Sequence, residues 1–152
     1  MKISSEAALP NPALDSFSVL IGEWETAGTH PKLPGIILRG HTSFNWIEGG
    51  AFLVMYSSFT GGKIPTSIAI YGSDNSKGEY FMLYFDDRTV SRKCDVAFQD
   101  NVLKWWRDAP EFSQRYSFTF TDNGNTMIGK GEMSTDGKSW EQDLDVTYTR
   151  IR

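Results

Sequence analysis

Two cationic residues carry most of the chemistry this sequence offers: Arg92 and His30. Arg92 lies in an alternating segment, 90–99, where Val90, Cys94, Val96 and Phe98 share its parity. If those apolar residues face a core, the guanidinium faces it too, and a guanidinium inside a protein needs a partner. Three arrangements meet that need: an internal ion pair, a register shift that turns Arg92 outward, or contact with an anionic ligand. His30 shares parity with Trp24 and Thr26, and an inward imidazole could hold an anion or move a proton. Tyr84, Tyr116 and Gln142 fall on inward positions by the same count. Arg107 joins them if Leu103 and Trp105, rather than Trp106, face inward.

Other chemistries have little material. His30 and His41 lack the close pairing or CxxC partners of a metal site, so both read as ordinary strand histidines and no metal is expected. No G-x-S-x-G elbow and no glycine-rich phosphate loop is present. Cys94 reads as a small buried residue rather than an activated thiolate. Glu141, Asp143 and Asp145 read as a solvated outer face. No residue is assigned a catalytic role. Trp105 and Trp106 are adjacent, so one indole lies outside and offers a contact surface.

The elements that must position these side chains follow from turn chemistry. Gly, Pro, Asn and Asp clusters recur between segments rich in β-branched and aromatic residues. Strands are expected near 22–30, 36–47, 51–60, 64–73, 79–86, 90–99, 101–108, 113–121, 125–134 and 139–149. Short turns make each strand antiparallel to the last. With ten strands the first and last also run antiparallel, so an all-β, up-and-down barrel can close without an exposed edge. A sandwich is the alternative that turn spacing leaves open. One short helix begins at Asn11 as N-cap with Pro12 at its first position and ends by Gly22, with Leu14, Phe17 and Ile21 on one face. It would close one end. The opposite mouth is then rimmed by Pro31–Pro34, Gly61–Gly62, Asp86–Thr89, Ala109–Glu111 and Thr135–Lys138.

Length and charge set the limits. The 152 residues suit a single domain spanning 1–152, with 1–11 expected to be flexible. A net charge of −4 with no basic run argues against nucleic-acid binding. A lone cysteine forms no intrachain disulfide and fits a reducing compartment. The first twelve residues hold no apolar signal core, and no stretch reaches the ~20 apolar residues of a membrane span. A cytoplasmic location is therefore expected.

Gly22-Glu23-Trp24, followed by Gly28, resembles the G-x-W signature of calycins, the lipocalins, fatty-acid-binding proteins and nitrobindins. That resemblance implies an arginine from the barrel's end stacked on the tryptophan, a part Arg150 can take. Trp46, Gly49-Gly50, Phe52, Trp106-Arg107-Asp108, Phe112-Ser113-Gln114-Arg115, Asp136-Gly137, Trp140-Glu141 and Tyr148 extend the pattern. Together they resemble the bacterial family named domain of unknown function 1579, over about Leu14 to Arg150. It implies a calycin-like barrel, carries no established activity and leaves the function open. Nitrobindins hold a haem through a histidine late in the chain; here both histidines are early, and no cofactor is expected.

Three functions follow from this reading. The first is a barrel binding a small hydrophobic, amphipathic or anionic ligand through Arg92, His30, Tyr84, Tyr116, Gln142 and Arg107. The second is an enzyme using the same pocket, His30 moving a proton and Arg92 stabilising negative charge. The third is an interaction module, its barrel filled by its own side chains and its outer tryptophan meeting a partner or a second copy in a homodimer.

Overall fold

The computed structural model describes residues 9–152. A 3₁₀ helix, Pro12–Leu20, leads into ten strands: β1 (Gly22–Thr29), β2 (Leu38–Ile47), β3 (Phe52–Phe59), β4 (Ser67–Asp74), β5 (Glu79–Asp86), β6 (Ser91–Gln99), β7 (Val102–Arg107), β8 (Ser113–Thr121), β9 (Thr126–Ser134) and β10 (Glu141–Arg150). Each strand pairs antiparallel with the next, and β1 pairs with β10 from Trp24↔Arg150 to Thr29↔Asp145. The sheet is a closed barrel, which excludes the sandwich. Tight hairpins set the registers. Between β6 and β7 only Asp100 and Asn101 intervene, with φ of 54° and 61°. Positive φ at both positions gives the mirror-image turn whose twist suits paired strands.

The lower half is a packed core. Trp24, Phe44, Leu53, Leu103 and Met127 are fully buried there. The helix plugs this end. Its buried residues are Leu14, Phe17 and Leu20, not the expected Leu14, Phe17 and Ile21. A 3₁₀ helix turns every three residues, so the inward stripe repeats at i, i+3 and i+6. The Asn11 side chain caps the helix by accepting from the Ala13 N–H at 3.1 Å.

The expected flexibility of residues 1–11 falls, for 1–8, outside the described residues. Asn11 is tied down, its N–H donating to the Gly50 carbonyl at 2.8 Å.

The plug is fastened from the far end of the chain. Arg150 stacks on Trp24, 4.1 Å from the ring centre. Its guanidinium donates to the carbonyls of Val19, Ile21 and Gly124. The Trp24 indole N–H donates to Leu20 O at 2.9 Å. No helix is long and apolar enough to cross a membrane among the described residues.

Candidate functional site

The upper half of the barrel is hollow. A cavity of about 350 Å³ opens among the β1–β2, β3–β4, β5–β6 and β7–β8 connections, which contribute His30, Lys63, Arg88 and Phe112 to its rim. This is the end that strand parity predicts, opposite the helix, although the expected Thr135–Lys138 turn contributes nothing to the lining. Met55, Phe59, Met82, Trp105 and Phe118 supply apolar wall. Trp105 lies parallel to Tyr116 with ring centres 5.7 Å apart. The volume falls in the range of small-molecule sites.

Across the mouth runs a chain of four side chains from four strands or their ends. The backbone N–H of Lys32 donates to His30 Nδ1 at 3.1 Å. The ring proton therefore sits on Nε2, which donates to Asp143 Oδ1 at 2.9 Å. The other carboxylate oxygen accepts from Gln114 Nε2 at 3.2 Å. Gln114 Oε1 in turn accepts from Arg92 Nη1 at 2.7 Å. The amide is thereby oriented, and Arg92 is held against the Phe112 ring at 5.3 Å.

Arg92 is the residue whose partner the sequence left open. It lines the cavity, half-buried. Among the described residues it makes no ion pair; its protein partner is a neutral amide. Of the three arrangements, the internal ion pair and the outward turn are thus both absent. Arg88 differs, because Asp86 neutralises it at 2.6 Å. Lys63 adds a second cation at the rim.

The remaining expected residues divide. His30 is on the rim, with both ring nitrogens engaged. Tyr84 lines the cavity and donates to Asp86 Oδ2 at 2.8 Å; burial, then Asp86, pushes its phenol up to about 12. Tyr116 lies deeper, its hydroxyl 3.2 Å from that of Tyr148. Arg107 has the parity expected, since Trp105 lines the cavity, yet it does not reach the lumen. It donates instead to the Phe112 carbonyl.

Gln142 is outside. It is exposed, donates to Asp145 Oδ2 at 3.0 Å, and faces a shallow depression beside Leu33 and Ile36. The cause is a register irregularity against β9 between Gln142 and Asp145. A bulge inverts alternation locally, so Asp143, expected on the outer face, enters the mouth in its place.

The depth of the cavity is lined by phenols and a thiol. Tyr71 is 1% exposed, and its hydroxyl has no hydrogen-bond partner among the described residues. Burial raises its phenol far above the usual range and pushes Tyr148 up to about 12. Cys94 is buried beside them; desolvation pushes its thiol up to about 11 against the pull of Arg107 and Arg92. Gly129 and Gly131 of β9 make room for the Tyr116 ring: a Cβ at 129 would collide with the Tyr116 hydroxyl, and one at 131 would stand 2.8 Å from the Leu144 carbonyl.

Inward parity already marks Gln114, which shares the face of Tyr116, Phe118 and Phe120 and was passed over; Tyr71 alternates with Ile68 and Ile70, so the residue types of β4 do not say which face turns in. No sequence signal announces the β10 bulge that brings in Asp143. Of the tryptophan pair, Trp106 is the outer one. An apolar row, Tyr56, Ile68 and Phe85, also crosses the outside of β3, β4 and β5 in register.

A nitrobindin-like haem does not fit these residues. His30 has no free ring nitrogen, His41 lies on the outside 2.7 Å from Glu23, and the second half of the sequence has no histidine. Among the described residues no group of three His, Cys, Asp or Glu is arranged to hold a metal ion.

No protein-family model matches the chain, and no curated protein sequence does. Solved structures do match. Rv2717c from M. tuberculosis superposes with a TM-score of 0.63 at 15% identity, over 93% of this chain and 98% of that one. A protein of unknown function from the DUF3598 family, from Nostoc punctiforme, superposes with a TM-score of 0.59 at 15% identity. That match covers 88% of this chain and 48% of the Nostoc protein, about half its length. The likeness is one of fold.

Proposed function

We propose that this barrel binds a small amphipathic anion, its apolar body among the interior aromatics and its charged group on Arg92. The observation that carries this reading is a guanidinium lining a roomy, aromatic-walled cavity with no carboxylate paired to it among the described residues. A half-buried charge answered by a neutral amide and the face of the Phe112 ring is poorly compensated, and a ligand anion supplies the missing partner. Lys63 adds to the positive potential at the entrance. Binding fits better than proton transfer by His30, because both imidazole nitrogens are already committed within the protein. The Trp24–Arg150 stack supports a calycin-like reading of the barrel, and with it the resemblance to domain of unknown function 1579.

Displacement of anilinonaphthalene sulfonate by aromatic and medium-chain carboxylates tests this reading. Wild-type protein is expected to bind the dye inside and release it to an acid at a 1:1 ratio. Arg92→Gln, which keeps a hydrogen-bonding side chain but not the charge, is expected to weaken the acids about tenfold or more. Neutral amides of the same acids should bind both proteins alike. Equal affinity of Arg92→Gln and wild type for the acids would refute the assignment.

A further inference from the structure

The cavity has a second polar feature, opposite in character to its entrance. Tyr71 sits at its depth with a hydroxyl that no protein group accepts or donates to, among the described residues. Registers place it. Arg92, Tyr84 and Ala69 are paired across β6, β5 and β4 on one level, and Cys94, Met82 and Tyr71 on the next. Two residues along a strand separate these levels, roughly 7 Å. Tyr71 therefore lies deeper than the guanidinium, and its ring packs against Phe17 of the plug with centres 6.0 Å apart.

A second donor is available at that depth. The Tyr116 and Tyr148 hydroxyls are 3.2 Å apart, and only one of them donates in that bond. The other keeps its proton for a further acceptor. Tyr71 and Tyr148 both line the cavity. The floor is thus rich in O–H donors, and the side-chain acceptors beside them are phenol oxygens, one thiol and the buried hydroxyl of Thr26, which stands opposite Tyr148 across β1 and β10. Burial holds all three phenols protonated at neutral pH, so they remain donors.

We propose that the ligand is bipolar: an anion at the Arg92 end, a flat apolar body, and a carbonyl-type oxygen at the far end that accepts from Tyr71. This rests on the anion-binding reading above and adds to it the identity of the buried terminus. A plain fatty or aromatic acid would leave the Tyr71 hydroxyl buried without a partner. An oxo-acid of matching length satisfies both ends. Selectivity then comes from the floor, because a site built to donate to a buried oxygen discriminates against the hydrocarbon that lacks it.

Rigid acids test this by calorimetric titration. The probes are 4-acetylbenzoate, 6-acetyl-2-naphthoate and 4′-acetylbiphenyl-4-carboxylate, each beside its isopropenyl analogue, which has the same shape without the oxygen. At one of the three lengths the acetyl compound is expected to bind wild-type protein about tenfold more tightly than its analogue. In Tyr71→Phe that advantage should vanish while the analogue binds as before. In Arg92→Gln both compounds should weaken by the same factor and the advantage should persist. Tyr71→Phe deletes one unpartnered oxygen, and its thermal midpoint confirms that the barrel is intact. An acetyl advantage surviving in Tyr71→Phe, or absent at every length, overturns the bipolar ligand while leaving anion binding in place. Failure of all six acids to bind wild type overturns the anion reading, and the inference built on it.

Discussion

At the scale of single residues, what matters is which groups are left wanting. Arg92 and Tyr71 are interior, polar and incompletely answered by the protein; His30, Tyr84 and Arg88 are answered. Parity alone brought Arg92 and His30 to the mouth: Arg92 through Val90, Cys94, Val96 and Phe98 on its own face, His30 by counting on from the buried Trp24. It failed at Gln142 and Asp143, where the side chains are all polar and nothing in their types reveals which way they point. Cys94 behaves as its apolar neighbours suggest. With its thiol pushed up to about 11 by burial, it should react with neutral iodoacetamide at pH 8 far more slowly than a free thiol, and at full stoichiometry once unfolded in guanidinium. Rapid native reaction would place the thiol in solvent.

At the scale of elements, ten strands were readable from turn chemistry to within about three residues at either end. The turns are local, and their Gly, Asn and Asp residues state their own geometry. Two elements were legible in kind but not in detail. The helix was found from its cap and its proline, yet its 3₁₀ pitch moved the inward stripe from Ile21 to Leu20. The bulge in β10 arises from pairing with β9, a long-range contact that no local pattern encodes. The fastening of the plug was legible through resemblance alone. Since Arg150 combines a stack on Trp24 with bonds to three carbonyls, Arg150→Lys should destabilise the fold by about 2 kcal/mol, although charge is conserved. Urea denaturation reads this directly, and an unchanged midpoint would deny the arginine its part in closing the barrel.

At the scale of the whole molecule, an even strand number closes the sheet, the helix stops one end, and the other end stays hollow. Stability of this body should depend on acid. Burial opposes ionisation of Asp86, yet hydrogen bonds from Arg88 and Tyr84 hold it down to about 2; backbone N–H groups of Ser139 and Lys138 do the same for Asp136. A carboxylate with a lower pKa folded than unfolded adds stability above the unfolded value, about 4, and loses it as pH falls toward 2. The urea midpoint should therefore drop between pH 4 and pH 2, and less steeply in Asp136→Asn; parallel slopes would contradict this. How the interior is used is the central question, and the Arg92 Nε–H resonance answers it most directly. Titrated with 2-naphthoate, that signal should shift and saturate at one equivalent, while the outward Arg39 stays still. An Arg92 signal that does not move, or that drifts in step with Arg39 without saturating, would contradict an anion site inside the barrel.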